Sequence, residues 1–319
     1  MSFAVSAEPE PGAGAVVPGA GMPLIETVVL GGYLGAGKTT LLNDIIRGAD
    51  HRTAVIVNDF GALGIDQHLI ERFDGTTVTL ANGCICCSVA DGLAAALADL
   101  NEVRPRPSRL LIEASGVADP SSVAAYAHRP GFHLDLVVVL VDGERFAAQV
   151  NDPLVGDAVV GQLRAADVVV INKIDLIGPA QRDAVEAQVR TLVADRPVIM
   201  AEHGRVPVEL FDLPDRFTAT PAQPEPGEGT ALLVHGLESW HQQWSGPIGL
   251  EALTRHVNHL DSGVIRLKGI VETDQGWVVV HRVGERTTLS DARPVEASCL
   301  VAIGHPGAIT ETALLPERR

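Results

Sequence analysis

The chain is nearly without lysine: of its 24 basic residues only Lys38, Lys173 and Lys268 are lysines, and the rest are arginine. A lysine kept against that usage marks a place that needs a compact point charge on a thin stem rather than a planar fork. Basic charge is scarce altogether. Twenty-four Lys and Arg stand against 40 Asp and Glu, a formal charge of −16, which argues against a nucleic-acid partner and makes any anion site a local one. Aromatic residues are only 4%. No run of eighteen apolar residues occurs, and the longest, Leu136 to Val141 and Val168 to Ile171, are strand-sized, so no membrane span is expected. Cysteine is also rare. Three of the four cysteines are Cys84, Cys86 and Cys87, too close in sequence for an ordinary disulfide framework, which fits a reducing cytoplasm. The first 23 residues lack a basic start and are rich in Gly, Pro, Ala and Glu, so they read as a tail rather than a signal peptide.

What is present is an ordinary globular composition, 46% hydrophobic over 319 residues, long enough for about two domains. From Ile25 to Met200 short β-branched runs alternate with helical stretches, the pattern of an α/β fold with a doubly wound, mostly parallel sheet. The strands expected are Ile25–Leu30, Thr53–Asn58, Thr76–Leu80, Arg109–Glu113, Leu134–Asp142, Asp167–Asn172 and Pro197–Met200. Helices are expected at Thr39–Arg47, Ser88–Leu100, Pro120–His128 and Pro179–Asp195. A proline-rich stretch, 213–230, reads as a linker between this domain, 24–212, and a smaller C-terminal α+β domain, 231–319.

Gly32-Tyr33-Leu34-Gly35-Ala36-Gly37-Lys38-Thr39 has the spacing of a phosphate loop, follows an expected strand and opens an expected helix. Its glycines let successive N–H groups turn inward, the helix N-terminus adds partial positive charge, and Lys38 supplies a mobile cation. Asn172-Lys173-Ile174-Asp175 follows another strand, with the spacing of a guanine reader. An aspartate at Asp175 accepts from guanine N1–H and N2–H₂ together, a polar readout that can discriminate by about 10⁴. GTP is therefore expected over ATP. Glu113, closing its strand before Ala114-Ser115-Gly116, and Asp59, in Asn58-Asp59-Phe60-Gly61, are carboxylates suited to complete a Mg²⁺ shell with Thr39.

Cys84, Cys86 and Cys87 offer three soft thiolates in one short loop, a donor set for Zn²⁺, Co²⁺ or Cu⁺ that rejects Mg²⁺ and Ca²⁺. An incomplete shell of three suits transfer better than a closed structural site. His256 and His259 share one face of the helix expected at about Gly249 to Leu260 and form a weaker second candidate.

Together Gly31 to Asn43, Asn58-Asp59-Phe60-Gly61, Asn82-Gly83-Cys84-Ile85-Cys86-Cys87, Glu113 to Gly116 and Asn172 to Asp175 resemble the CobW-type metallochaperone GTPases. The resemblance covers about residues 24 to 303 and includes Gly236 to Trp240 and Arg266-Leu267-Lys268-Gly269. It implies a P-loop GTPase fold and slow, Mg²⁺-dependent GTP hydrolysis coupled to delivery of Zn²⁺ or Co²⁺ to a client metalloprotein. It also implies a set of roles. GTP would lie on Gly32, Gly35, Ala36, Gly37, Lys38, Thr39, Thr40, Asn172, Lys173 and Asp175; catalysis would fall to Lys38, Asp59 and Glu113; Mg²⁺ would sit on Thr39, Asp59 and Glu113; and the transition metal would bind Cys84, Cys86 and Cys87. Asp59 stands where the family usually has glutamate, and the linker lacks the histidine-rich run many members carry. A plain NTPase or small-molecule kinase with structural cysteines, a nucleotide-gated zinc sensor, and a homodimer all stay open.

Overall fold

A computed structural model describes residues 24–48, 52–57, 78–80, 89–207, 210–211, 232–234, 237–292 and 294–308. The N-terminal part alternates strand and helix: β1 (Ile25–Gly32), α1 (Lys38–Gly48), β2 (Thr53–Val57), β3 (Val78–Leu80), α2 (Val89–Glu102), β4 (Arg109–Glu113), α3 (Pro120–Ala124) and β5 (Phe132–Asp142). It continues through α4 (Phe146–Val150), α5 (Gly156–Ala165), β6 (Val168–Asn172), α6 (Pro179–Val193) and β7 (Val198–Met200). All seven strands are parallel, in the order β3-β2-β4-β1-β5-β6-β7. The helix expected over Pro120–His128 is only partly α-helical. Asp119 caps it and Pro120 starts it, but it tightens into a 3₁₀ turn at Ala125–His128.

Both faces of this sheet are buried, which is why β5 and β6 read as continuous apolar runs. On one face Val137, Val139 and Val141 of β5 and Val169 and Ile171 of β6 pack with residues of α2, α3, α5 and α6. On the other, Leu136, Val138 and Leu140 alternate with them and meet Leu41, Leu42, Ile45 and Ile46 of α1. One helix cannot cover a seven-stranded sheet. Beyond α1 that face is covered by Val206, Leu210 and Phe211, which follow β7, and by Leu237, Ile265, Val283, Val301 and Ile303, which come from a second sheet.

The second sheet is six-stranded and antiparallel, ordered β12-β11-β10-β13-β9-β8. Its strands are β8 (Leu232–Val234), β9 (Leu237–Trp244), β10 (Val264–Thr273), β11 (Gly276–Val283), β12 (Arg286–Asp291) and β13 (Ser298–Gly304), with α7 (Leu250–Asn258) between β9 and β10. Its outer face packs on α7 through Trp240, Trp244, Leu253, Val257 and Leu267. The two sheets therefore share one apolar layer.

Charged pairs cross that layer. Arg266 of β10 donates to both carboxylate oxygens of Asp135 in β5, at 2.9 and 2.8 Å, and to the carbonyl of Leu210 at 2.5 Å. Lys268 pairs with Glu26 of β1, and Arg286 donates to Asp167 at 3.0 Å and to the Asp135 carbonyl at 3.2 Å. Burial pushes the Asp167 carboxyl up, with Arg286 pulling against it. Lys268, a lysine in an arginine-rich chain, thus holds the C-terminal sheet to the strand that leads into the phosphate loop. Among the described residues no helix is long and apolar enough to cross a membrane.

Candidate functional site

The strand order reverses at β1, whose neighbours β4 and β5 leave by opposite sides, so a crevice opens at the carboxyl ends of these strands. The segment between β1 and α1 lines it. Gly35 and Gly37 have φ of +78° and +102°, a region that side-chain-bearing residues rarely enter, and a Cβ on Gly37 would lie 2.3 Å from Asn172 Nδ2. Glycine at 37 is thus required both by the turn and by the close approach of β6's end. Lys38 folds back over the loop and donates to the carbonyl of Gly32 at 2.9 Å. With Thr39, Thr40, Val57, Glu113 and Gly116 these residues line a cleft of about 310 Å³.

Thr39 Oγ1 donates to Glu113 Oε1 at 2.8 Å across 74 residues of sequence. Two hard oxygens, a hydroxyl and a nearly buried carboxylate, thus face the same cleft, a donor set that fits Mg²⁺.

Asn172 joins the phosphate loop to the loops after β6 and β7. Its Nδ2 donates to the carbonyl of Ala36 at 2.9 Å, and its Oδ1 accepts from the N–H of Gly204 at 2.8 Å. Lys173 follows in the left-handed region, φ +63°, and pairs with Asp142 at 2.7 Å. Asp142 is buried and also accepts from the N–H of Glu144 and of Arg145. Asp175 stands one turn on, with His203 Nδ1 3.6 Å from its Oδ2. The phosphate loop, Glu113 and the Asn172–Asp175 segment, separate in sequence, are therefore one contiguous site.

Asp59 and the cysteines Cys84, Cys86 and Cys87 lie outside the described residues, as does Ser88, the cap expected for α2. Among the described residues no group of three or more His, Cys, Asp or Glu is placed to hold a metal ion, so His256 and His259 gain no third ligand there. Sequence reasoning missed the contacts of Asp142 and His203. A carboxylate closing a strand was a usable signal for Asp142; a histidine in a turn carried none.

Residues 26–200 match the family described as CobW/HypB/UreG, nucleotide-binding domain, and residues 237–314 match the cobalamin synthesis protein cobW C-terminal domain. "Zinc chaperone CobW" of a Sinorhizobium species is 33% identical over 218 residues, covering 59% of this chain and 62% of that protein. "Zinc chaperone YjiA" of Escherichia coli is 34% identical over 197 residues, with 59% and 60% covered. "Zinc chaperone YeiR" of the same bacterium is 27% identical over 296 residues, with 82% and 87% covered. The chain thus spans about six tenths of the length of the first two relatives. With residues 26–200, more than half of the chain, matched by that model, the chain belongs to the CobW/HypB/UreG family of nucleotide-binding proteins.

Proposed function

We propose that the chain is a GTP-dependent metallochaperone that holds Zn²⁺ on Cys84, Cys86 and Cys87 and couples GTP binding and slow hydrolysis to release of the metal to a client metalloprotein. The observation that carries the nucleotide half is the pair of contacts from Asn172, which fixes the Asp175 segment beside the phosphate loop. Base and phosphates of one nucleotide can then be read together. The metal half is supported by the three adjacent cysteines and by the names of the relatives, which are zinc chaperones and, in Schizosaccharomyces pombe, a zinc-regulated GTPase metalloprotein activator. Zn²⁺ is preferred on those names; three thiolates would also take Co²⁺.

In this reading the loop at 35–37 and the α1 N-terminus receive the phosphates, Lys38 leaves the Gly32 carbonyl for the β- and γ-phosphates, and Thr39, Glu113 and Asp59 hold Mg²⁺. Bound Mg²⁺ supplies neutralisation of phosphate charge. The functional unit is the nucleotide domain 24–212, a linker 213–230 and the C-terminal domain 231–319, working in a reducing cytoplasm that keeps the thiols free.

The direct test of the nucleotide reading is a titration with GTP, ATP and XTP. GTP should bind far more tightly than ATP, and Asp175→Asn should exchange that preference for XTP, whose base presents an acceptor at the same edge. Equal affinity for ATP and GTP would overturn the reading.

A further inference from the structure

We propose that Gln162 is a positioning residue that sets how strongly the phosphate cleft prefers a triphosphate to a diphosphate. The inference rests on the GTP reading above and extends it. Gln162 lies within α5 and is only 3% exposed. Its neighbours on the buried side of that helix, Gly156, Val159 and Leu163, are all without polar side chains. Its Nε2 donates to the carbonyl of Gly116 at 3.1 Å and to that of Ala118 at 2.8 Å. An amide nitrogen has two hydrogens, so the whole donor capacity of this side chain is spent on the loop that follows Glu113.

The other side of that loop presses on the phosphate loop. A Cβ on Gly116 would meet Leu34 Cδ2 at 2.5 Å and the Leu34 backbone nitrogen at 2.9 Å. Ala118 N–H donates to the Ser115 carbonyl at 3.0 Å and closes the turn between them. The loop 114–118 is thus clamped between α5 and the phosphate loop, while Ala114, Ser115 and Gly116 form a wall of the cleft with Lys38 and Thr39.

In the GTP reading a diphosphate would end in the cradle at 35–39 and a third phosphate would extend toward the 114–116 wall of the same cleft, so only the longer ligand would touch the clamped loop. A loop ordered in advance spares that ligand the cost of ordering it; a loop released from α5 charges the cost to the triphosphate alone. Two lost hydrogen bonds correspond to about a tenfold fall in the preference for triphosphate. α5 runs directly into β6 and Asn172, so the same side chain ties the phosphate end of the site to the helix that leads into its base end.

The test uses the full chain with Mg²⁺, a non-hydrolysable GTP analogue and GDP. Gln162→Met keeps length and volume and removes both donors. It should weaken the analogue about tenfold while GDP binding stays close to wild type, which also shows that the variant is folded. Gln162→Glu places a carboxyl opposite two carbonyl oxygens, where burial raises its pKa; ionised it repels them, and protonated it donates to one. Its deficit against wild type should therefore be large near about pH 8 and smaller near about pH 6, whereas that of Gln162→Met should not change. An unchanged analogue-to-GDP ratio in both variants, or equal loss of both nucleotides, overturns the positioning role. Failure of the wild-type chain to bind either guanine nucleotide would instead remove the GTP reading itself, and is seen before any variant is made.

Discussion

Arg266 and Asp135 meet through two hydrogen bonds of 2.9 and 2.8 Å, with side-chain exposures of 0% and 1%, and so join the antiparallel sheet to the parallel one at a point sealed from water. A pair so buried adds little net stability compared with an apolar pair of the same shape, because desolvation cancels most of the attraction. Its strength lies in fixing register. Once formed, neither partner can be removed without leaving a buried charge.

Asp135→Ala should therefore cost about 3–5 kcal/mol, whereas Asp135→Leu combined with Arg266→Met should cost much less. Urea denaturation of the full chain measures both. Burial alone would raise the Asp135 carboxyl, but Arg266, His281 and Lys268 outweigh it and hold it well below its ordinary 3.8. A depressed carboxyl contributes stability that is complete above about pH 4 and lost as pH falls further. The double variant should lose less stability than wild type in that acid range. A double variant as unstable as Asp135→Ala would contradict the argument.

His281 gives a second pH dependence at milder pH. Burial pushes its imidazole down to about 3, Asp135 opposes the shift, and Arg266 and Lys268 reinforce it. Its Nε2 lies 3.1 Å from Asp135 Oδ1, a contact that favours the imidazolium, but Arg266 already engages both oxygens of that carboxylate and burial prevails. With its pKa pushed down to about 3, the folded ring is expected to be neutral at neutral pH. Between about pH 6.5 and 3 the unfolded chain binds the extra proton, so stability falls with falling pH by up to about 1.4 kcal/mol per unit. His281→Gln should flatten that slope in denaturation series taken from neutral to mildly acidic pH. Matching slopes in wild type and variant would show that the imidazole is protonated in the fold.

Much of the nucleotide half was legible in the sequence because its signals are local. The strand Arg109–Glu113 and the starts of α3 and α6 at Pro120 and Pro179 fall where apolar runs and helix-starting prolines put them. The C-terminal sheet was less legible. β9 reads Leu-Glu-Ser-Trp-His-Gln-Gln-Trp, whose buried residues do not alternate, and β12, Arg-Thr-Thr-Leu-Ser-Asp, is an edge strand with no buried side chain. Nothing local told that this sheet would cover the parallel one. That fact rests on Arg266 meeting a residue 131 positions away and on Ile265 and Val301 sharing a core with Leu136. At the site, the phosphate loop and the Asn172–Asp175 segment announced themselves by spacing, since each does its work within a few residues. Gln162 did not, because its role exists only where α5 passes Gly116.

Nucleotide and transition metal should bind one chain and bind it cooperatively. Thiolate absorption on titrating Co²⁺ into the protein, with Mg²⁺ and either a non-hydrolysable GTP analogue or GDP, measures this coupling. One metal per chain is expected, lost in Cys86→Ser, and held about 5–150-fold more tightly with the triphosphate, with metal tightening the triphosphate by the same factor. Affinity should also rise with pH until the thiols are ionised. If Cys86→Ser leaves the absorption and stoichiometry unchanged, or if both nucleotides give the same metal affinity, the chain is a nucleotide-binding protein whose cysteines carry no cargo under nucleotide control.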